Sequence, residues 1–129
     1  QGMIQNEFVS NETKCKAFSG AAIVLNNLFP SEIYGVNVRT FEIAAAGCFQ
    51  LVNYRKALPG LFQLDTQIVA FSSLPEARDK VAYYLNRPEE RKAIAAAAYA
   101  RAQAEHTYEQ RLQLLLSTLQ GKAAGYPFL

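Results

Sequence analysis

A chain of 129 residues is long enough to bury the core of one domain, so we expect residues 1–129 to form a single domain. Half of its residues are apolar and 19% are charged, which is ordinary for a globular protein. The net charge of +2 is too small to indicate nucleic-acid binding. No window approaches the roughly 18 apolar residues of a membrane span, and no signal peptide is apparent. We therefore expect no nucleic-acid partner and no integral membrane segment.

The two cysteines, Cys15 and Cys48, lie far apart and match no metal-ligand spacing. Cys48 falls inside an apolar segment, which is typical of a buried thiol. Reduced cysteines favour a cytoplasmic protein. We therefore expect a cytoplasmic location and no metal site.

The first part of the chain predicts a helix, a strand and a loop. Ser10 or Asn11 can cap a short helix that reaches about Phe18. Residues 21–26 form a continuous apolar run between turn formers, as in a buried strand. A loop is then expected over residues 27–35.

The middle of the chain predicts another helix and two more strands. The helix spans about residues 36–46, and Gly47 closes it as a left-handed cap. Apolar runs predict strands over residues 48–53 and 67–71. Residues 58–62 are expected to be a short irregular or helical piece.

The last part of the chain is predicted to be helical. Residues 73–76 have the pattern of a capping box, and Pro88 begins the next helix. The alanine-rich segment 93–104 is expected to be a packing surface. Residues 107–110 form a second capping box before a terminal helix. That helix carries an apolar stripe of Tyr108, Leu112, Leu115 and Leu119.

Helices that alternate with apolar strands predict an α/β domain, with a parallel sheet and helices on both of its faces. In such sheets, ligands bind beyond the carboxyl ends of the strands. The residues at the predicted ends are polar: Asn26, Asn27, Asn53, Tyr54 and Ser72. Asn and Ser are also common turn residues, so a structural role is the alternative.

The second predicted helix has an anion-binding pattern at its start. A helix N-terminus presents unpaired N–H groups and partial positive charge, so it can hold a phosphate. Gly35 permits close approach, Asn37 and Arg39 lie in the first turn, and Glu42 follows one turn later. A carboxylate there can accept hydrogen bonds from hydroxyls of the same ligand. The pattern indicates a nucleotide, although Glu42 as a surface residue paired with Arg39 is the alternative.

These residues resemble the nucleotide-sugar half of CgeB-like glycosyltransferases. The likeness rests on residues 37–42, 46–47, 51–54, 83–85, 88–91, 106–108 and 111, and runs from about Ile4 to Leu119. It implies a Rossmann-like domain that is the C-terminal half of a two-domain GT-B enzyme (glycosyl transferases group 1). The implied substrate is a nucleotide-diphosphate sugar, with no cofactor and no divalent metal.

The resemblance also implies roles for the candidate site. Glu42 would accept hydrogen bonds from the ribose hydroxyls, and the segment Gly35 to Arg39 would face the diphosphate. Asn53 and Tyr54 are candidate base or sugar contacts, or turn residues.

One position departs from the pattern of the family. Many retaining GT-B enzymes have a second glutamate eight positions before the first, to contact the donor sugar. That position is Tyr34 here, and the nearest acid, Glu32, is two residues away. The resemblance therefore assigns no donor-sugar contact and leaves the stereochemical outcome open.

A GT-B active site is a cleft between two domains, and one domain cannot form both sides. We therefore expect a hexosyltransferase-like enzyme whose partner is an N-terminal GT-B domain, with the isolated domain inactive. The alternatives are a non-catalytic interaction module on the same fold, or a GT-B-type sugar-nucleotide epimerase or phosphorylase. No catalytic residue is assigned, and His106 is expected to make a structural hydrogen bond.

Overall fold

The computed structural model of the chain describes residues 10–121, which form helices around a small sheet. In chain order the elements are α1 (Asn11–Gly20), β1 (Val24–Asn26), α2 (Val38–Ala45), β2 (Gln50–Asn53), α3 (Leu58–Leu61), β3 (Val69–Phe71), α4 (Leu74–Leu85), α5 (Pro88–Glu105) and α6 (Tyr108–Leu119). The alternation of helices and strands confirms the predicted α/β class.

The sheet consists of three parallel strands in the order β1-β2-β3. Each strand begins two or three residues later than its apolar run, because the ladder starts only where neighbouring strands overlap. Val24 pairs with Gln50, and Leu51 pairs with Val69. The parallel arrangement confirms the prediction and brings the carboxyl ends of all three strands to one edge.

Helices cover both faces of this sheet. On one face, Val52 and Ala70 pack in a cluster with Ala44 of α2. On the other face, Leu51 packs in a separate cluster with Ala77 of α4. Residues that alternate along one strand thus enter different clusters, as the pleat of a strand requires.

The alanine-rich helix α5 is a packing surface, as predicted. Ala98 and Ala102 are 2% and 5% exposed, and they share a cluster with Ala44 of α2. Small side chains let two helices approach closely, since the interaxial distance depends on the residues at the contact. α5 thereby holds α2 against the sheet.

The two cysteines differ in their surroundings, and both are free thiols. Cys48 is buried with Val24 and Ile43, and this burial raises the pKa of its thiol. Cys15 is exposed on α1. The structure confirms the buried thiol at Cys48, and the cytoplasmic location stays a prediction.

The helix ends show one capping box where two were predicted. Thr107 and Gln110 form the expected reciprocal pair at the start of α6. At α4, the Ser73 hydroxyl accepts from the Glu76 N–H. The Glu76 carboxylate instead accepts from the N–H of Ser72, one residue before the cap, so the predicted box is only half formed.

The apolar stripe of α6 is exposed among the described residues. Tyr108, Leu112, Leu115 and Leu119 are 80%, 57%, 54% and 75% exposed. Their spacing predicts a buried face, but residues 10–121 do not bury it. None of the helices in this range has the length and hydrophobicity needed to cross a bilayer.

Candidate functional site

The start of α2 is fixed by the side chain of Asn37, which is the N-cap of the helix. Its Oδ1 accepts from the backbone N–H of Thr40 at 3.1 Å and from the Thr40 hydroxyl at 3.2 Å. Such a cap satisfies one of the N–H groups that a helix start leaves unpaired. Val38 and Arg39 are the first two residues of α2, and helix geometry leaves such N–H groups without intrahelical partners at the N-terminal end of the axis.

A buried amide at the end of β1 ties this cap to the sheet. Asn26 is 0% exposed, and its side chain exchanges two 3.2 Å hydrogen bonds with the side chain of Asn37. Its Nδ2 also donates to the Thr40 hydroxyl at 3.1 Å. The network holds the first turn of α2 in register with the carboxyl edge of the sheet, and it directs the Asn37 amide inward.

Gly35, just before α2, and Arg39, in its first turn, lie next to open space. A side chain at Gly35 would meet no atom of residues 10–121 within 4 Å, and the φ of Gly35 lies outside the left-handed region. Arg39 is exposed, and its guanidinium makes no hydrogen bond or ion pair with any residue between 10 and 121. A cation and an open approach therefore lie together at the N-terminus of α2. By contrast, Gly47 has φ +66° and closes the helix, as predicted.

Glu42 is paired with α1 and not with Arg39. Its Oε1 accepts from Lys14 Nζ at 2.8 Å, and the two side chains are 35% and 25% exposed. The alternative pairing of Arg39 with Glu42 is thus not formed. Sequence reasoning missed Lys14 because its partner is 28 positions away and no motif marks it.

Asn53 and Tyr54 lie at the end of β2, where the parallel sheet places them beside the β1–α2 loop. The Asn53 Oδ1 accepts from the N–H of Leu28 at 3.0 Å, so it supports this loop. Tyr54 is 41% exposed, and its backbone N–H donates to the Phe71 carbonyl at 2.8 Å. Asn53 has a structural contact, whereas the ring of Tyr54 remains accessible to a ligand.

The β1–α2 loop has a second support that the sequence did not indicate. Arg55 donates to the carbonyl of Glu32, to that of Tyr54 at 2.8 Å, and to that of Phe29 at 3.3 Å. The Glu32 carboxylate accepts from the N–H of Phe29 at 2.9 Å. Glu32 therefore shapes the loop, and Tyr34 occupies the position eight residues before Glu42, as read from the sequence.

His106 makes the structural contact that was expected of it. Its Nε2 lies 2.8 Å from the Leu61 carbonyl, and its Nδ1 lies 3.1 Å from Arg111 Nη2. Burial is the largest cause that lowers its pKa. The nearby cations of Arg111 and Arg101 lower the pKa further, against the Leu61 carbonyl and Glu105, which raise it. The neutral ring, with its proton on Nε2, satisfies both partners.

The fold brings three candidate features together. They are the N-terminus of α2, the exposed Arg39 and the carboxylate of Glu42, and they lie on one side of the helix. Within residues 10–121, no group of three or more His, Cys, Asp or Glu side chains is placed to hold a metal ion. The arrangement offers N–H donors and one cation to an anion, and a carboxylate to hydroxyls.

Comparison with known proteins gives the family. A family model described as glycosyl transferase-like matches residues 2–117. The chain is also 29% identical to the spore protein CgeB of Bacillus subtilis (strain 168) over 118 residues, an alignment that covers 83% of this chain and 36% of CgeB. It thus spans about a third of the length of this relative. Because the family model covers nearly the whole sequence, the chain belongs to the glycosyl transferase-like family, and the similarity to CgeB confirms the resemblance to CgeB-like glycosyltransferases.

Proposed function

We propose that this chain is the nucleotide-sugar-binding domain of a GT-B glycosyltransferase, and that an N-terminal domain supplies the acceptor side of the cleft. The observation that carries the proposal is the α2 N-terminus, which Asn26 and Asn37 lock to the carboxyl edge of the sheet beside an exposed Arg39. A preorganised set of donors next to a cation suits a diphosphate leaving group.

In this proposal, the diphosphate lies at the segment Gly35 to Arg39. The bond between the anomeric carbon of the sugar and a diphosphate oxygen breaks, and the nucleoside diphosphate leaves with the electron pair. The oxygen of an acceptor hydroxyl forms the new bond to that carbon, and its proton passes to a base of the N-terminal domain or to water. Arg39 and the helix N-terminus stabilise the negative charge that develops on the diphosphate, and so no divalent metal is required.

Glu42 is assigned to the ribose, because a carboxylate accepts hydrogen bonds and suits a vicinal diol. Its Oε1 is already held by Lys14 at 2.8 Å. Oε2 accepts no hydrogen bond from residues 10–121. A ribose hydroxyl can therefore donate to Oε2 without any movement of the carboxylate, and it displaces only water.

Titration of the 129-residue chain with UDP, GDP and their sugar conjugates tests the proposal, by calorimetry and by ¹H–¹⁵N NMR. We expect weak binding, with the largest shifts at residues 35–42, and weaker binding by Arg39→Gln. The matched control is Arg78→Gln, since Arg78 is exposed on α4. A folded chain that binds none of these nucleotides would rule the proposal out.

A specific observation favours the second candidate, a non-catalytic interaction module on the same fold. Four leucines of α6 are more than half exposed, namely Leu112, Leu115, Leu116 and Leu119, and such a stripe is a typical contact face for another helix. The same stripe is also available to the proposed N-terminal domain. Only the transferase requires Glu42, so a substitution of this residue distinguishes the two candidate functions.

A further inference from the structure

Helix α6 turns its apolar side chains outward and its polar ones towards the rest of the domain. None of its residues is buried, and none belongs to the three buried clusters within residues 10–121. Five large apolar side chains are more than half exposed, namely Tyr108, Leu112, Leu115, Leu116 and Leu119. The less exposed side carries Gln110, Arg111, Leu114, Ser117 and Thr118. A helix on a globular domain normally has the opposite arrangement, so this face indicates contact with another surface.

The polar side of α6 attaches the helix to the domain. Gln110 Nε2 donates to the carbonyls of Gln103 at 3.3 Å and Ala104 at 2.6 Å, at the end of α5. The Arg111 guanidinium carbon lies 5.0 Å from the centre of the Phe41 ring of α2. These contacts fix the first turns of α6, and the apolar stripe therefore stays on the outer side.

The spacing of the stripe is the same in both directions. Its residues Tyr108, Leu112, Leu115 and Leu119 are four, three and four positions apart. Two copies of α6 related by a two-fold axis run antiparallel, with Tyr108 of one opposite Leu119 of the other and Leu112 opposite Leu115. Every side chain of the stripe then meets an apolar partner, which is the self-complementarity that a two-fold interface requires. Alternating steps of three and four are also those of a coiled-coil seam.

The charges of α6 favour the antiparallel orientation. Glu109 and Arg111 are the two charged residues in the sequence of this helix. In a parallel pair, the two Glu109 carboxylates would lie side by side. In the antiparallel pair they are nine residues apart, about 13 Å along the axis, which is beyond the Debye length of about 8 Å at physiological salt. A single cation also disfavours an anionic membrane as the occupant, since membrane-surface helices are rich in Lys and Arg.

The apolar surface continues past the Tyr108 end of the stripe. Tyr108 and Val38 line one groove of about 370 Å³ between α2, the end of α5 and the start of α6. Val38 is itself 55% exposed. In the antiparallel pair, Leu119 of the second copy lies opposite Tyr108 and therefore at the edge of this groove. Both ends of the helix pair thus gain apolar contact beyond the stripe.

We propose that the apolar stripe of α6 binds a second copy of this chain, through an antiparallel pair of α6 helices. The proposal goes beyond the proposed function and does not depend on it. The interface is small, because a standard interface has about 20 to 30 residues on each side. A weak dimer is therefore expected, with a Kd between about 10 µM and 1 mM.

Sedimentation velocity of the 129-residue chain, from about 1 µM to 1 mM, tests for the dimer. We expect the mass to rise with concentration from the 14.3 kDa of one chain towards twice that value. Leu112→Lys or Leu115→Glu places two charges in the seam of each dimer. Each substitution should weaken dimerisation by at least about tenfold, because the charges lose water without gaining a partner.

A mixture of these two variants tests the antiparallel register. In the proposed pair, the lysine of Leu112→Lys faces the glutamate of Leu115→Glu, and the two unsubstituted leucines face each other. We therefore expect the equimolar mixture to dimerise more tightly than either variant alone. Tyr108→Glu mixed with Leu119→Lys repeats the test at the outer positions, in case a central variant does not fold.

Leu74→Glu is the matched control, since Leu74 is 81% exposed on a different helix, α4. It should dimerise as the unsubstituted chain does. Circular dichroism of every variant confirms that it is folded before its mass is compared.

Three results would overturn the proposal. If the unsubstituted chain stays monomeric at 1 mM, a second copy does not cover the stripe, and its partner has a different chemistry. If Leu112→Lys and Leu115→Glu dimerise as the unsubstituted chain does, the copies meet through another surface. If the mixture of these variants is no tighter than either alone, the helices do not pair in the antiparallel register. None of these results alters the outcome of the nucleotide titrations, so the proposed function is tested separately.

Discussion

Lys14 Nζ lies 2.8 Å from Glu42 Oε1, so a single ion pair links helix α1 to the carboxylate assigned to the ribose. Both side chains are partly exposed, which limits the strength of the pair through solvent screening. We expect a double-mutant cycle of Lys14→Met and Glu42→Gln to give a coupling of about 0.5 kcal/mol in urea denaturation. The coupling should fall as the NaCl concentration rises.

The matched control is the pair of Lys16 and Glu12 on α1, whose atoms are 2.7 Å apart but whose side chains are 74% and 80% exposed. Its coupling should be smaller, because two mobile exposed side chains lose more entropy on pairing. Equal couplings for the two pairs would show that the lower exposure of Lys14 and Glu42 does not strengthen their ion pair.

Asn26 is the residue on which the geometry of the α2 start depends. Its amide is fully buried and bonds to both Asn37 and Thr40. Asn26→Ala leaves buried partners unsatisfied, so we expect the free energy of unfolding to fall by about 2 to 3 kcal/mol. Asn86→Ala, at an exposed helix end with one hydrogen bond to Ala82, should cost less than about 1 kcal/mol. If the two variants lose similar amounts of unfolding free energy, the buried hydrogen bonds of Asn26 stabilise the domain no more than an exposed one does.

The close packing of the alanines of α5 leads to a second prediction about the stability of the domain. Ala98 is 2% exposed, in the cluster that joins α2 and α5. A larger side chain has no room there, so Ala98→Leu is expected to destabilise the domain by about 1 to 3 kcal/mol. Ala100→Leu, on the exposed side of the same helix, should be close to neutral. Thermal unfolding of the two variants measures the difference, and a neutral Ala98→Leu would contradict close helix packing.

The class of the fold and the order of its elements were predictable, because helical and strand periods are local properties of the sequence. The turn at Gly47 follows the same local rules and was predicted, whereas Asn37 was expected in the first turn and is the N-cap of α2. The partners of side chains were not predictable where they lie far apart in sequence. Lys14 reaches Glu42 across 28 positions, and Arg55 reaches Phe29 across 26. No spacing rule connects such residues, so only the folded chain shows that Glu42 pairs with a lysine.

The exposure of the apolar stripe on α6 was unpredictable for a different reason. The spacing of Leu112, Leu115 and Leu119 indicates an apolar face correctly, but periodicity does not say what covers it. Sequence reasoning likewise located Val38 and Tyr108 in separate helices without indicating that they line one groove.

His106 makes the stability of the domain depend on pH between about 5 and 8, where no other unperturbed side chain changes its charge. It is the chain's one histidine, and burial lowers its pKa below the usual value of 6.5. The unfolded chain therefore binds a proton more readily than the folded one. Stability is full above the unfolded pKa of 6.5 and is lost as pH falls through the lower folded pKa.

We expect the free energy of unfolding to decrease as the pH is lowered from 7 towards about 5.5, the range in which an unperturbed histidine titrates. His106→Gln should flatten this decrease. An NMR titration of the ring gives the folded pKa directly. A value above 6.5 would mean that the Leu61 carbonyl and Glu105 outweigh the burial of the ring.

Glu42 separates the transferase from an interaction module. In the two-domain protein proposed above, we expect Glu42→Ala to lower kcat/KM for the donor by about tenfold to a hundredfold. Hydrogen bonds to a charged group contribute roughly 1.5 to 3 kcal/mol. The domain should stay folded, because Glu42 is only partly buried and its pair with Lys14 is weak. Glu89→Ala is the control, since Glu89 is exposed on α5 and pairs with Lys92 at 2.9 Å. A Glu42→Ala variant with unchanged transfer would exclude the ribose role. It would leave the exposed leucines of α6 as the functional surface of the domain.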